Sequence, residues 1–420
     1  MKKFFKFIRW FYPGLKIKRW ISLFLIGIFL ILISSTHLSK DTNFIFRIVY
    51  TVVFASGVIC IIGGVAYLIK SFFDAIYPQK EKDLIDIIYE KRFLSKGPKI
   101  VAVGGGTGLS TVLEGLKGYT SNISAIVTVA DEGGSSGRLR EEFGILPPGD
   151  IRNCLVSLAE APMLMRNLFQ YRFEGGEGIK GHSFGNIFIT ALTEVTGSFK
   201  DAVKESSKVL AIRGKVLPSS LNNVRLRAEY MDGSVAEGED KISTGEKLIK
   251  HIYIKPEDAK ANPEAIEAIK DADIIILGPG SLFTSILPNL LIKEISEEIT
   301  VKDTLKIYIC NVMTQHGETD GFTAADHLEV ILNHTTDNII NCCLVNAGRL
   351  DYSLLLRYSK EKSFPVIPDK NRLRMMGMKV IEDDLVSKVD YLRHDSDKTA
   401  KVIMHVYNEW KRRWIKSNKK

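Results

Sequence analysis

The sequence predicts an α/β protein, a parallel sheet with helices on both faces, carried behind an N-terminal two-helix transmembrane hairpin. Three observations predict it. Short, fully apolar runs at Ile100–Val103, Ile123–Val129, Ile274–Leu277 and Ile307–Cys310 alternate with helical stretches, and strands apolar on both sides belong to a sheet covered on both sides. The first run ends in four glycines among the five residues 104–108, a strand-to-helix turn. Ahead of all these lie two long uncharged segments.

From Trp20 through Ile33 to His37 there is no acidic, lysine or arginine side chain, and Ile48–Ile69 adds 22 residues with none. A bilayer core requires about 20. A cleaved signal peptide is the alternative for the first segment, but a second span follows closely and the small-residue cleavage pattern is weak. The expected anchor is residues 1–78, with spans near 20–37 and 48–69. Lys2, Lys3, Lys6, Arg9, Lys16, Lys18 and Arg19 precede it without an acid, whereas the connector is nearly neutral (Lys40, Asp41, Arg47). The positive-inside rule therefore expects a cell-membrane protein with its main domain and both termini in the cytoplasm, and residues near 38–47 outside. Phe4, Phe5, Phe7, Trp10, Phe11, Tyr12 and Trp20 suit an interfacial anchor. Residues 79–94 read as an amphipathic helix with Leu84, Ile87 and Ile88 on one face, inside a linker 79–97. Gly97-Pro98 then opens the main domain, residues 98–420.

In an open α/β sheet, ligands bind beyond the carboxyl ends of the strands. The first end offers Gly104, Gly105, Gly106, Thr107 and Gly108, whose N–H groups and following helix, reaching Leu116, favour a phosphate. No Gly-Lys-Ser/Thr follows, and Leu109 stands where the dinucleotide fingerprint has its third glycine. The second end carries Asp131 and Glu132, able to hold a ribose diol or a Mg2+ beside substrate phosphates. Gly134, Ser135 and Ser136 form a second N–H-rich loop, and Arg138 and Arg140 can neutralise phosphate. Asp150 precedes a helix over Ile151–Ala159, which it can cap, and Arg152 and Asn153 in its first turn can reach the same cleft. His182, Ser183 and Asn186 open a helix over Ser183–Val195, and another covers Asp201–Ile212. Val224–Met231 and Val235 flank Asp232-Gly233 as a β-hairpin. Gly278, Gly280 and Ser281 make a further anion-friendly helix start. Asn311 and Thr314 offer an amide and a hydroxyl suited to a base or sugar. For each loop, plain turn chemistry is the alternative.

The 420 residues carry a net charge of +8, yet the seven basic residues before Trp20 and six more in residues 411–420 exceed it. Removing these thirteen leaves residues 20–410 at −5. That body lacks the basic, aromatic-interleaved face of a nucleic-acid binder, and its basic ends suit an anionic membrane surface. Cys60, Cys154, Cys310, Cys342 and Cys343 are odd in number and form no CxxC pair. They read as reduced and structural, without a zinc site.

Seven blocks in order, VAVGGGTGLSTVLEGLK, TVADEGGSSGRLR, PPGDIRNCLVSLA, GHSFGNIFI, GPGSLFTSILPNL, NVMTQHGETDGFTAADHLEVI and MGMKVIEDDL, resemble the gluconeogenesis-factor (YvcK-type) family of the CofD-like superfamily. The resemblance covers residues 99 to about 400. It implies a modified Rossmann-type fold binding a UDP-sugar such as UDP-N-acetylglucosamine, with no cofactor required for binding. It also implies a regulator of cell shape and envelope precursor metabolism during gluconeogenic growth, partnered by envelope-synthesis proteins or a second copy of itself. The superfamily's 2-phospho-L-lactate transferases use Mg2+. For such a transferase the resemblance places Glu132 and Asp150 as metal ligands and, with His182, as catalytic residues. Two positions depart from the family pattern: Glu132 where Asp is usual and His316 where Pro is usual. A ligand-sensing regulator is the first expectation, a Mg2+-dependent transferase onto a hydroxyl acceptor the second, and a nucleotide-dependent oxidoreductase the third.

Overall fold

The computed structural model describes residues 17–38, 43–76, 92–243, 247–387 and 393–417. The chain divides into two units, at residue 88. The first is a pair of helices, α1 (Ile17–Leu38) and α2 (Phe44–Ile76), each long and apolar enough to cross a bilayer and with mostly exposed apolar faces. Glycines let them approach closely. A Cβ on Gly27 would lie 2.8 Å from the Gly57 carbonyl oxygen, and one on Gly57 3.0 Å from that of Gly27. Trp20 stacks on Tyr67 at 4.2 Å and His37 on Tyr50 at 5.1 Å. Residues 79–91 of the expected amphipathic linker lie outside the described residues. Leu94 beyond them is buried, and its carbonyl accepts from Ser121 N–H at 3.0 Å.

The second unit runs β1 (Ile100–Gly104), α3 (Gly106–Leu116), β2 (Ile123–Val127), α4 (Gly134–Phe143), α5 (Gly149–Leu158), α6 (Met163–Gln170), α7 (Phe184–Thr196), α8 (Phe199–Val209) and β3 (Lys215–Pro218). Then come β4 (Arg225–Tyr230), β5 (Val235–Glu237), α9 (Glu239–Ser243), β6 (Ile249–Lys255), α10 (Pro263–Asp271) and β7 (Ile274–Leu277). A π turn (Leu282–Ile286) leads to α11 (Leu287–Leu290), α12 (Lys293–Val301), β8 (Leu305–Ile309), α13 (Ala324–His334), β9 (Cys342–Asn346), α14 (Tyr352–Lys360), α15 (Lys370–Met375), β10 (Lys379–Asp383) and α16 (Ser396–Ser417).

Seven strands form one parallel sheet in the order β10-β9-β8-β7-β1-β2-β3. Every residue of β1, β7 and β8 is buried, because these central strands are covered on both faces. The four apolar runs seen in the sequence are therefore the inner strands β1, β2, β7 and β8, a Rossmann-like core. The expected hairpin is β4–β5, turning at Gly233 with φ +78, and β6 joins it in a separate antiparallel sheet, β5-β4-β6. All five cysteines are free, and four are buried. Burial, then the Asp150 charge, raises the pKa of the Cys154 thiol well above its ordinary range.

Candidate functional site

Chain order reverses at β1: β2 and β3 extend the sheet on one side, β7 to β10 on the other. The crevice outside the carboxyl ends at such a switch point is where this kind of sheet binds ligands. The loops that frame it are locked to one another. Asn289 Nδ2 donates to the Gly104 carbonyl at 3.1 Å. A Cβ on Gly108 would lie 2.6 Å from the Pro279 oxygen, and one on Gly280 3.3 Å from that of Gly105. Gly280 and Asn311 exchange two hydrogen bonds, at 3.1 and 2.8 Å. Gly106 alone in the first loop is left-handed, φ +65, with Thr107 exposed beside it. Asn311 thus braces the loop after β7.

Ser281 caps the π turn, accepting from Thr284 N–H at 3.0 Å, and hydrogen-bonds Glu318. Glu318, 2% exposed, also accepts from Gln315 at 2.6 Å and Ser243 at 3.1 Å, and burial raises its pKa. Thr314 is buried and tied to Phe364: its hydroxyl accepts from Phe364 N–H at 2.9 Å, and its amide donates to the Phe364 carbonyl at 2.6 Å. His316 pairs with Asp320 at 3.1 Å.

The two acids after β2 have different partners. Glu132 lies 3.4 Å from Arg140 Nη1 and 3.4 Å from Arg225 Nε. Arg140 is itself buried and held by Asn223 and by the Val224 carbonyl at 2.7 Å. Asp131 accepts from Gly133 N–H at 2.8 Å and instead meets Glu239, the first residue of α9. Glu239 hydrogen-bonds Asp131 and accepts from Glu132 N–H at 3.1 Å. Burial, then the Asp131 and Asp150 charges, raise its pKa far above the carboxylate range. Asp150 does not cap its helix. The helix starts one residue earlier, at Gly149, and the Asp150 carboxyl accepts from Gly106 N–H beneath the glycine loop. A Cβ on Gly105 would lie 2.4 Å from its Oδ2. Burial and the Asp131 charge raise the Asp150 carboxyl to about 7, against the opposing pull of the Gly106 hydrogen bond and Arg152.

The acids that crowd Asp150 are therefore Asp131 and Glu239, while Glu132 is engaged by two arginines. Among the described residues, no three His, Cys, Asp or Glu side chains are set out as a metal-ligand group. The expected Glu132–Asp150 pair is split between two settings: Glu132 faces Arg140 and Arg225, while Asp150 lies with Asp131 and Glu239.

On the flank, Ser135 Oγ lies 2.9 Å from His182 Nδ1 and accepts from Asn186 Nδ2 at 3.0 Å. Burial, then Arg138, lower the His182 pKa and favour the neutral imidazole. Ser183 caps α7 by accepting from Asn186 N–H at 3.3 Å and also receives Arg152, whose other nitrogen donates to Asn153 at 2.7 Å. Ser136 is buried, packed where a Cβ on Gly149 would fall. Gly134, Ser135 and Arg138 line a recess of about 530 Å³ with Glu132, Arg172 and Asp240. Arg152 Nε and Asn186 Oδ1 are buried here without a hydrogen-bond partner, as are Glu132 Oε1 and Arg140 Nε and Nη1 nearby.

The sequence reading missed Glu239, Glu318 and Arg172. Glu318 lay inside a block already singled out, NVMTQHGETDGFT, and its spacing from Gln315 was visible. Glu239 had no local signal, since it reaches the crevice only through the small sheet.

The model of a family described as 2-phospho-L-lactate transferase CofD matches residues 100–386. The chain is similar to a Nostoc sp. protein named for the gluconeogenesis factors, 44% identical over 424 residues, covering 96% of this chain and 93% of that one. It is 48% identical over 317 residues to the gluconeogenesis factor of Bacillus subtilis, covering 75% of this chain and 100% of the relative. A crystal structure of a UPF0052-family protein from Bacillus halodurans matches with a TM-score of 0.72 at 48% identity, covering 74% of this chain and 99% of that one.

Proposed function

Because the chain belongs to the CofD family, among its gluconeogenesis factors, we propose that it is a membrane-tethered cytoplasmic protein that senses a UDP-sugar such as UDP-N-acetylglucosamine. In this reading the ligand's diphosphate lies against the N–H-rich loops after β1, β2 and β7. The sugar or base reaches the recess bordered by Ser135, Arg138 and Arg172. The observation that carries the reading is the convergence of these loops at the switch point beside the partnerless Arg152 Nε and Asn186 Oδ1, since buried polar atoms are ordinarily hydrogen-bonded. Regulation of cell shape, envelope precursor metabolism and gluconeogenic growth is the role proposed for the bound state. The apolar helices α1 and α2 serve as the anchor, with both termini in the cytoplasm.

One observation favours a second reading, a Mg2+-dependent transferase onto a hydroxyl acceptor. A carboxyl held near 7, as Asp150 is, is suited to accept the acceptor's proton. Isothermal titration of residues 92–420 with UDP-N-acetylglucosamine, NAD(H) and GDP tests the first reading, with binding of the UDP-sugar expected to survive EDTA. Absence of UDP-sugar binding overturns it. Mass spectrometry of donor and acceptor incubated with Mg2+ tests the second: a new phosphodiester, lost in Asp150→Asn, would replace the sensor with the transferase.

A further inference from the structure

Helix α16 carries an apolar seam that outlasts its packing. Ala400, Ile403, Val406 and Tyr407 are buried in the body, and Trp410 is partly buried on the same core. One turn on, Trp414 stacks with Trp410 at 6.3 Å between ring centroids but is 45% exposed, and Ile415 is 39% exposed. Lys411, Arg412, Arg413 and Lys416 are all exposed, and Lys411 lies over the Tyr407 ring at 5.5 Å. The last acid before them, Glu409, faces Lys379 at 3.6 Å and His405 at 3.3 Å. From Trp410 to the end of the sequence there is no acid, and Lys419 and Lys420 add to the positive charge. At about 100° per residue, Trp414 lies about 40° from Trp410 on the buried seam, Ile415 falls about 100° further round with Lys411 between them, and Arg412, Arg413 and Lys416 take the opposite side.

We propose that the last two turns of α16 form a peripheral membrane-binding surface that recognises anionic phospholipid headgroups. Trp414 and Ile415 seat at the boundary between headgroups and acyl chains, where tryptophan is enriched. The surrounding lysines and arginines meet lipid phosphates. A purely solubilising basic end has no use for an exposed tryptophan beside an isoleucine. A single-stranded nucleic acid would also accept aromatic and basic groups, but it requires a basic groove that follows the backbone. Here the basic residues cluster at one helix tip, on a body whose residues 20–410 are net negative. The inference does not depend on α1 and α2, nor on the ligand proposed for the crevice.

The test uses residues 92–420. The B. halodurans structure, whose length corresponds to 74% of this chain, shows that a body of this kind folds by itself. Of the chain's four tryptophans, this fragment keeps only Trp410 and Trp414, so its tryptophan emission reports on α16 alone. Titration with phosphatidylcholine vesicles containing one-third phosphatidylglycerol should shift the emission to the blue and sediment the protein, and pure phosphatidylcholine should do neither. Trp414→Ala with Ile415→Ser, and separately Arg412→Gln with Arg413→Gln and Lys416→Gln, should each weaken partitioning at least tenfold while UDP-N-acetylglucosamine titrations stay as in the parent fragment. Equal binding to neutral vesicles, or variants that partition like the parent, would overturn the proposal. So would tighter binding to a single-stranded oligonucleotide than to the anionic vesicles.

Discussion

Asp150→Asn should stabilise the body, and only above acidic pH. The Asp150 carboxyl lies beneath Gly105 and Gly106 with the Asp131 charge nearby, and its pKa is about 7 against an ordinary 3.8. A raised pKa means that the folded state favours the protonated form. The stability associated with that proton is therefore fully present below about pH 3.8 and is lost as pH rises through about 7. The separation, at about 1.4 kcal/mol per pH unit, corresponds to about 4 kcal/mol lost by pH 8. Asparagine has nearly the same shape, can still accept from Gly106 N–H, and carries no charge at any pH. The variant should match the parent near pH 4 and exceed it by about 4 kcal/mol at pH 8, with most of the difference in place by pH 6. Urea unfolding of residues 92–420 across this range, with the two proteins compared at each pH, measures it. A difference that does not change with pH, or a variant less stable at pH 8, would refute the placement of a charge-strained carboxyl under the glycine loop. A destabilising carboxylate retained at the sheet's switch point fits a functional residue better than a structural one.

Gly106→Val puts a branched side chain at φ +65 where no neighbour lies closer than 3.7 Å. It should keep the body folded yet weaken UDP-sugar binding at least tenfold, about 1.4 kcal/mol by titration calorimetry, and unchanged affinity would make the loop a turn only. Glu132→Gln removes the charge between Arg140 and Arg225 and should cost roughly 3 kcal/mol in urea unfolding with UDP-sugar affinity unchanged; lost affinity at full stability would return Glu132 to the ligand site. A cysteine at Asn43, between α1 and α2, should react with an impermeant maleimide in intact cells. Labelling of a C-terminal cysteine instead, with position 43 silent, would invert the proposed topology.

The sequence by itself determined the elements whose signal is local. Runs such as Ile274–Leu277, short, apolar and alternating with helical stretches, read as strands buried on both faces, the 22 uncharged residues of Ile48–Ile69 are a helix of spanning length, and Asp232-Gly233 marks the β4–β5 hairpin. It also located the glycine loops and His182, whose neighbours Ser183 and Asn186 lie within the same turn. Tertiary structure decided which groups meet. Asp150 looked like a helix cap from its position, but its carboxyl lies under a loop more than forty residues earlier in the chain. Glu132 and Asp131 are adjacent in sequence, yet one is engaged by Arg140 and Arg225 and the other by Glu239, a residue brought over by the small sheet. Thr314, a candidate ligand group in the sequence, is tied to Phe364, fifty residues on, by contacts that no local pattern shows. The reason is physical: apolar periodicity and turn chemistry act over a few residues, whereas the pairing and pKa of a buried carboxyl depend on whatever charge and backbone the fold packs against it.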